Sequence, residues 1–117
     1  MNDQAKPVYD PQDLEKLLVS REWAGDVDGM VALYEPNAVL DCGEGQLFVG
    51  REAIRDFYAG LVAAGRKFAR GDQRPAIVSG DLALTSTRLP DGTVTAEIAR
   101  RQSDGTWLWV IDRFSIE

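Results

Sequence analysis

AGDVDGMVALYEPNAV, residues 24–39, is the stretch on which the fold turns. Gly25 is a natural closing residue for a helix that precedes it, and Asp26 is a natural cap for one that follows. Val27, Met30, Val31 and Tyr34 fall at i, i+3, i+4 and i+7, which predicts a second, short helix that Pro36 cannot continue. Upstream, Leu14, Leu17, Leu18, Trp23 and Ala24 predict a first helix from Asp13, so the two form a helical hairpin. Downstream, Ala38–Cys42 reads as a short strand, Gly43–Gly45 as a turn and Leu47–Val49 as a second strand ended by Gly50. Ile54, Phe57, Tyr58, Leu61 and Val62 then form one stripe of an amphipathic helix over 51–64.

A basic connector from Arg66 to Arg74 follows, and beyond it the composition shifts to β-branched residues punctuated by Gly80-Asp81, Asp91-Gly92 and Asp104-Gly105. Such punctuation predicts an antiparallel meander. Helices first and hairpins afterwards define an α+β domain in which helices cover one face of a curved sheet.

Composition narrows the function classes. The 117 residues carry 13 basic and 19 acidic side chains, a formal charge of −6, which disfavours a nucleic-acid partner. Histidine is absent, which removes histidine triads and histidine metal sites and leaves acid–base work to carboxylates, Tyr or Lys. One cysteine, Cys42, allows no internal disulfide and fits a reducing, cytoplasmic compartment. Residues 1–11 read as a flexible tail without a signal-peptide pattern, 12–117 as one domain, and no apolar run is long enough for a membrane span.

The order of elements and several local sequences resemble the nuclear transport factor 2 superfamily, and within it the SnoaL-like and ketosteroid isomerase-like small proteins. The carriers are Ala24 to Gly29, Val31 to Tyr34 leading to Asn37-Ala38-Val39, Gly50 to Tyr58, and Asp104-Gly105-Thr106-Trp107. The resemblance implies a cystatin-like cone: N-terminal helices packed on a strongly curved, mainly antiparallel sheet, with a pocket between the two. It also implies a pocket wall that includes Leu18, Cys42, Phe57, Leu84, Ser86, Arg88, Ala99, Val110 and Phe114. Ketosteroid isomerases use an aspartate base and an oxyanion hole of Tyr plus a protonated Asp. At the matching positions this chain has Cys42 for the base, Leu18 for the tyrosine and Ala99 for the second aspartate, so that mechanism is not expected. Tyr58 alone matches, where the family keeps a supporting tyrosine.

A two-residue Asp104-Gly105 turn would set Ala99 opposite Val110, Ile98 opposite Ile111 and Glu97 opposite Asp112. Two carboxylates then face each other, so a cation bridges them or one keeps its proton. Arg88 and Arg101 are the available cations and Ser86 a neutral partner. By resemblance the face with Glu97, Ala99, Val110, Asp112 and Phe114 lines the pocket, which makes Asp112, Glu97 and Tyr58 the candidate catalytic residues. Alternation leaves the reverse assignment open, because Leu89, Val94, Ala96, Ile98, Trp107, Trp109 and Ile111 on the other face would equally read as core. Tyr34 and Tyr58 also suit a core stripe. Cys42 reads either as a small buried residue or as a thiol at the pocket mouth.

Other patterns have plainer readings. Gly43, Gly45 and Gly50 match no nucleotide fingerprint and are turns. Asp26 and Asp28 are a cap and its first-turn neighbour rather than a metal pair. Arg66, Lys67, Arg70 and Arg74 form a solvated connector, or a patch that steers an anionic substrate.

The expectation is therefore a cofactor-independent, metal-free pocket for a small organic molecule. Its chemistry would be isomerisation, cyclisation or dehydration of a cyclic or polyketide-like substrate. Asp112 would move the proton, Glu97 or Arg88 would set its pKa, and Tyr58 would donate to a developing oxyanion. The alternative is a non-catalytic ligand-binding or dimerisation module of the same fold. A sheet with two apolar faces, only one of them covered by helices, predicts a homodimer through the outer face with Trp109 as an anchor.

Overall fold

Aspartates start the first two helical segments. In the computed structural model, which describes residues 6–43 and 45–116, Asp10 accepts from the Gln12 N–H and opens a 3-10 turn, Pro11–Asp13. That turn leads into α1, Leu14–Trp23. Asp26 accepts from the Gly29 N–H at 2.9 Å and opens α2, Val27–Val31. The hairpin of helices is as expected, but α2 is one turn shorter than the apolar spacing suggests.

Tyr34, expected on the last rung of α2, instead begins strand β1, Tyr34–Asp41. A five-residue helix has little to hold it, and Tyr34 gains a ring contact with Trp109 at 5.4 Å by leaving it. Pro36 lies inside this strand, where the β1 register is interrupted between Tyr34 and Val39, so its missing N–H breaks no ladder bond. Strand β2, Leu47–Val49, pairs with the end of β1. Helix α3, Arg51–Ala63, buries Ile54 and Tyr58 fully. The Arg51 guanidinium ties α3 to β1 by donating to the Tyr34 carbonyl at 2.6 and 2.8 Å.

The second half supplies β3 (Asp72–Gln73), β4 (Ile77–Ser79), β5 (Leu82–Thr85), β6 (Thr87–Arg88), β7 (Ala96–Arg101) and β8 (Trp107–Arg113). Six of the strands form one sheet in the order β2-β1-β8-β7-β5-β4, while β3 and β6 make a separate two-stranded ladder. Among the described strands only β1 and β8 run parallel. The architecture is thus α+β, with N-terminal helices on a mainly antiparallel, curved sheet.

The last hairpin differs from the two-residue turn. Gln102 N–H donates to Thr106 O at 2.6 Å and Gly105 N–H donates to Gln102 O at 2.9 Å, enclosing a three-residue loop with Gly105 at φ +87°. That loop shifts the pairing by one residue, so Ala99 opposes Trp109 rather than Val110. An irregularity between Ile98 and Ala99 then restores the register, leaving Val110 as the extra residue and Ile98 opposite Ile111. The consequence is a switch of faces. Trp107 and Trp109, expected outside, are buried in the core. Leu89, also expected outside but not part of this hairpin, lines a cavity wall. Leu84, expected on the pocket wall, is 45% exposed on the outer face beside Ile98 and Ile111.

Residues 1–5 of the expected tail lie outside the described residues. From Lys6 the chain is placed against the fold: Val8 is buried and its carbonyl accepts from the Trp107 N–H at 2.7 Å. Among the described residues no helix is long and apolar enough to cross a membrane.

Candidate functional site

Between α1 and the concave side of the sheet lies a cavity of about 100 Å³. Its walls are Glu15 and Leu18 from α1, Phe68 and Ala69 from the connector, Leu89 and Thr95, Glu97 from β7, Asp112 from β8, and Phe114. Glu15 and Leu18 reach it together because residues three apart share one face of a helix. The connector is held over it by α1: Phe68 N–H donates to Glu22 Oε1 at 3.0 Å, and Trp23 Nε1–H donates to the Phe68 carbonyl at 2.8 Å. Gly71 allows the connector to pass close to β6, since a Cβ there would lie 2.5 Å from the Arg88 carbonyl oxygen.

Glu97 and Asp112 are directly opposite each other and each is 2% exposed. Each has its own support. Asp112 Oδ2 accepts a short hydrogen bond from the Tyr34 hydroxyl, which lies 2.6 Å from the Tyr58 hydroxyl. Tyr34 has one proton and spends it on Asp112, so Tyr58 donates to Tyr34. Glu97 Oε1 accepts from Thr85 Oγ1 at 2.7 Å, and Trp109 Nε1–H reaches that same hydroxyl at 3.4 Å.

Burial, and then the charge of Glu97, hold the Asp112 carboxyl well above the usual carboxylate range, against the opposing pull of the Tyr34 hydrogen bond. Burial raises Glu97 as well, with hydrogen bonds from Thr85 and Thr95 acting in the other direction. Glu15 is likewise pushed well up by burial and by the charges of Glu97 and Asp112. Tyr34 and Tyr58 are raised above their ordinary value, mainly by burial, and stay protonated donors. Among the described residues no Lys or Arg forms an ion pair with Glu15, Glu97 or Asp112.

Of the residues expected on the wall, Leu18 and Phe114 line the cavity together with Glu97 and Asp112. Ala99 is fully buried in the core and does not line the cavity. Phe57 packs against Tyr58, Phe48 and Phe114 in the core. Cys42 lies at the end of β1, its Sγ 3.9 Å from the Gln46 carbonyl. Ser86 donates to the Thr95 carbonyl, and Val110 is the extra residue of the hairpin. The expected cations are elsewhere: Arg88 is exposed and pairs with Asp72 in the β3–β6 ladder, and Arg101 binds Asp81. Tyr58 does not reach the cavity wall; it acts behind Tyr34.

Glu15 and Thr85 are the site residues that the sequence does not single out, and Tyr34, which reads there as a core residue, bonds Asp112. Glu15 borders the Leu14 and Leu18 stripe, a place that ordinarily belongs to the polar side of a helix, but the buried arc of α1 is broad enough to include Arg21 and Glu22. Arg21 there donates to the Gly29 carbonyl at 2.7 Å. Among the described residues no group of three or more His, Cys, Asp and Glu is arranged to hold a metal ion.

A helix-covered curved sheet enclosing a pocket between its concave side and the helices defines the cystatin-like, nuclear transport factor 2-like class of proteins. Residues 16–117 match the SnoaL-like domain, and the chain belongs to that family. A cystatin-like protein from Nostoc punctiforme superposes with a TM-score of 0.71 at 16% identity, over 91% of this chain and 74% of that one. A ketosteroid isomerase-like protein from Erwinia carotovora atroseptica gives 0.68 at 14% identity, over 97% and 95%. A candidate dehydratase of the NTF2-like family from Streptomyces avermitilis gives 0.66 at 16% identity, over 86% and 88%. At these identities the likeness is one of fold. No curated protein matches the chain in sequence.

Proposed function

We propose that the chain is a small-molecule-pocket protein that performs cofactor-independent acid–base chemistry, of the isomerase, cyclase or dehydratase type. The observation that carries this reading is the buried Asp112–Glu97 pair on the wall of a mainly apolar cavity. Asp112, with its pKa raised well above that of an ordinary carboxylate, is suited to exchange a proton with a carbon acid or a leaving hydroxyl. Glu97 raises that pKa by its charge, and Tyr34, backed by Tyr58, fixes the orientation of the Asp112 carboxyl. Tyr58 is in this scheme a positioning residue rather than the oxyanion donor. The cavity volume, about 100 Å³, is below the roughly 150 Å³ that holds a benzene molecule, so it takes one end or one small ring of a substrate. A candidate dehydratase among the structural relatives is consistent with such chemistry.

The rival reading, a non-catalytic binding module, draws on Leu18, Cys42 and Ala99 at the three positions of the isomerase machinery. Asp112 inside the cavity beside Glu97 favours catalysis. We further propose a cytoplasmic setting, consistent with the single cysteine, and a homodimer through the outer sheet face.

The test is a panel of small ketones, lactones, epoxides and hydroxycarbonyl compounds with the wild-type chain and Asp112→Asn. Loss of at least about a hundredfold in kcat/KM supports the assignment. Turnover unchanged in Asp112→Asn overturns it.

A further inference from the structure

Glu15 is the group that the acid–base reading leaves unused. Its carboxyl lines the cavity from α1, facing the sheet wall that carries Glu97 and Asp112, and it has no hydrogen-bond or ion-pair partner among the described residues. A chain rarely carries a carboxylate into an apolar cavity without compensation, because an isolated charge there is expensive. Glu97 and Asp112 each have a hydroxyl to lean on; Glu15 has none.

We propose that the cavity binds a small apolar ammonium ion, its charge held by Glu15 on the helix side and by Glu97 and Asp112 on the sheet side. The inference rests on the small-molecule reading of the cavity and names the class of ligand. The remaining wall suits the apolar part of such an ion: Leu18 and Leu89 are aliphatic, and Phe68 and Phe114 meet edge to face with centroids 6.2 Å apart. Aromatic faces attract a cation as well as its methylene groups. A metal ion is a poorer match, since the carboxyl groups do not gather as a metal-ligand cluster. An anion would find no Lys or Arg on the wall to hold it.

The titratable groups around the ligand position are Glu15 from α1, Tyr58 from α3, Tyr34 from β1, Glu97 from β7 and Asp112 from β8. Burial lets these carboxyl groups keep protons above their ordinary range. An arriving ammonium favours their ionised forms, so binding releases a proton to solvent while the amine stays protonated. Ammonium affinity therefore rises with pH through the range in which these groups titrate, and affinity for a neutral isostere does not.

Titration calorimetry with the whole chain tests this, using cyclopentylammonium, cyclopentanol and cyclopentanecarboxylate in buffers of different ionisation enthalpy. The expected result is that the ammonium binds at least about tenfold tighter than the alcohol and releases protons, while the carboxylate binds most weakly. Glu15→Gln, with its fold verified by circular dichroism, loses about tenfold for the ammonium and keeps its affinity for the alcohol. If the alcohol binds as tightly as the ammonium, or if Glu15→Gln weakens both alike, the ammonium inference is overturned and the pocket reading stands. If none of the three binds, both fall.

Discussion

Glu97 and Asp112 stand directly opposite each other because two one-residue irregularities cancel: the three-residue loop that ends at Gly105 and the extra residue Val110 in β8. The pairing ties their protonation to stability. Both folded-state pKa values lie above the ordinary 4.5 for Glu and 3.8 for Asp, so the native chain binds more protons than the unfolded chain between those values and the raised ones. Stability is therefore greatest at mildly acid pH and falls as pH rises through that window. The loss at each group is about 1.4 kcal/mol for every tenfold by which the folded chain holds that proton more tightly than the unfolded chain does. Thermal unfolding from pH 4 to 9 checks this, and Glu97→Gln should flatten the slope. A midpoint that instead rises steadily to pH 8 would contradict the buried pair.

Tyr34 and Tyr58 differ in what their removal strands. Tyr34→Phe leaves Asp112 Oδ2 and the Tyr58 hydroxyl both without the partner they now have, a cost of about 1–3 kcal/mol in denaturant unfolding. It also removes the hydrogen bond that lowers the Asp112 pKa, so the acid limb of any pH–rate profile should move upward. Tyr58→Phe leaves the Tyr34–Asp112 bond in place and should cost less in both measurements. Equal effects from the two variants would break the proposed order of the chain.

Gly71→Ala tests how the cavity is roofed. The added methyl would lie 2.5 Å from the Arg88 carbonyl oxygen and 2.7 Å from Thr87 Cγ2, so the connector must move away from β6. Phe68 and Ala69 move with it. A destabilisation of about 1–3 kcal/mol is expected, together with weaker ligand binding, whereas Gly60→Ala, with open space around its Cβ, should leave binding unchanged.

The helices and the α+β order are legible in the sequence because caps, glycine stops and apolar spacing act locally: Asp26, Gly25 and the stripe from Ile54 onward specify their elements almost unaided. Tyr34 is not, because its place depends on Trp109, far along the chain on β8. Opposition of Glu97 and Asp112 follows in the sequence from a turn that the chain does not form. The bulge at Val110 corrects the register only beyond Ile98, and so Trp107 and Trp109 exchange faces while the carboxylates do not. Arg88 and Arg101 fall outside the site because short ladders and Asp81 engage them. Glu15 escapes sequence reading because a charged residue at the border of a helical stripe looks solvated until the connector is seen to cover it.

The outer face of the sheet carries an exposed apolar strip. With Trp109 fully buried, the anchors expected there reduce to aliphatic side chains: Ile98, Ile111, Leu84 and Leu82 are 37%, 46%, 45% and 46% exposed on neighbouring strands. Side by side on β8, β7 and β5 they make a continuous apolar strip, with the exposed Leu47 on β2 farther along. The Arg113–Asp41 ion pair lies at the same groove, Nε to Oδ2 3.1 Å apart. A second copy related by a two-fold axis would set the same apolar strip against itself. Ile98→Glu or Ile111→Glu should leave the fold intact, since both positions face outward, and convert a dimer to monomers in light scattering at micromolar concentration. Trp109→Glu should instead unfold the chain by burying a charge beside Tyr34 and Thr85. A wild-type chain that is already monomeric at that concentration would remove the dimer and leave the cavity argument untouched.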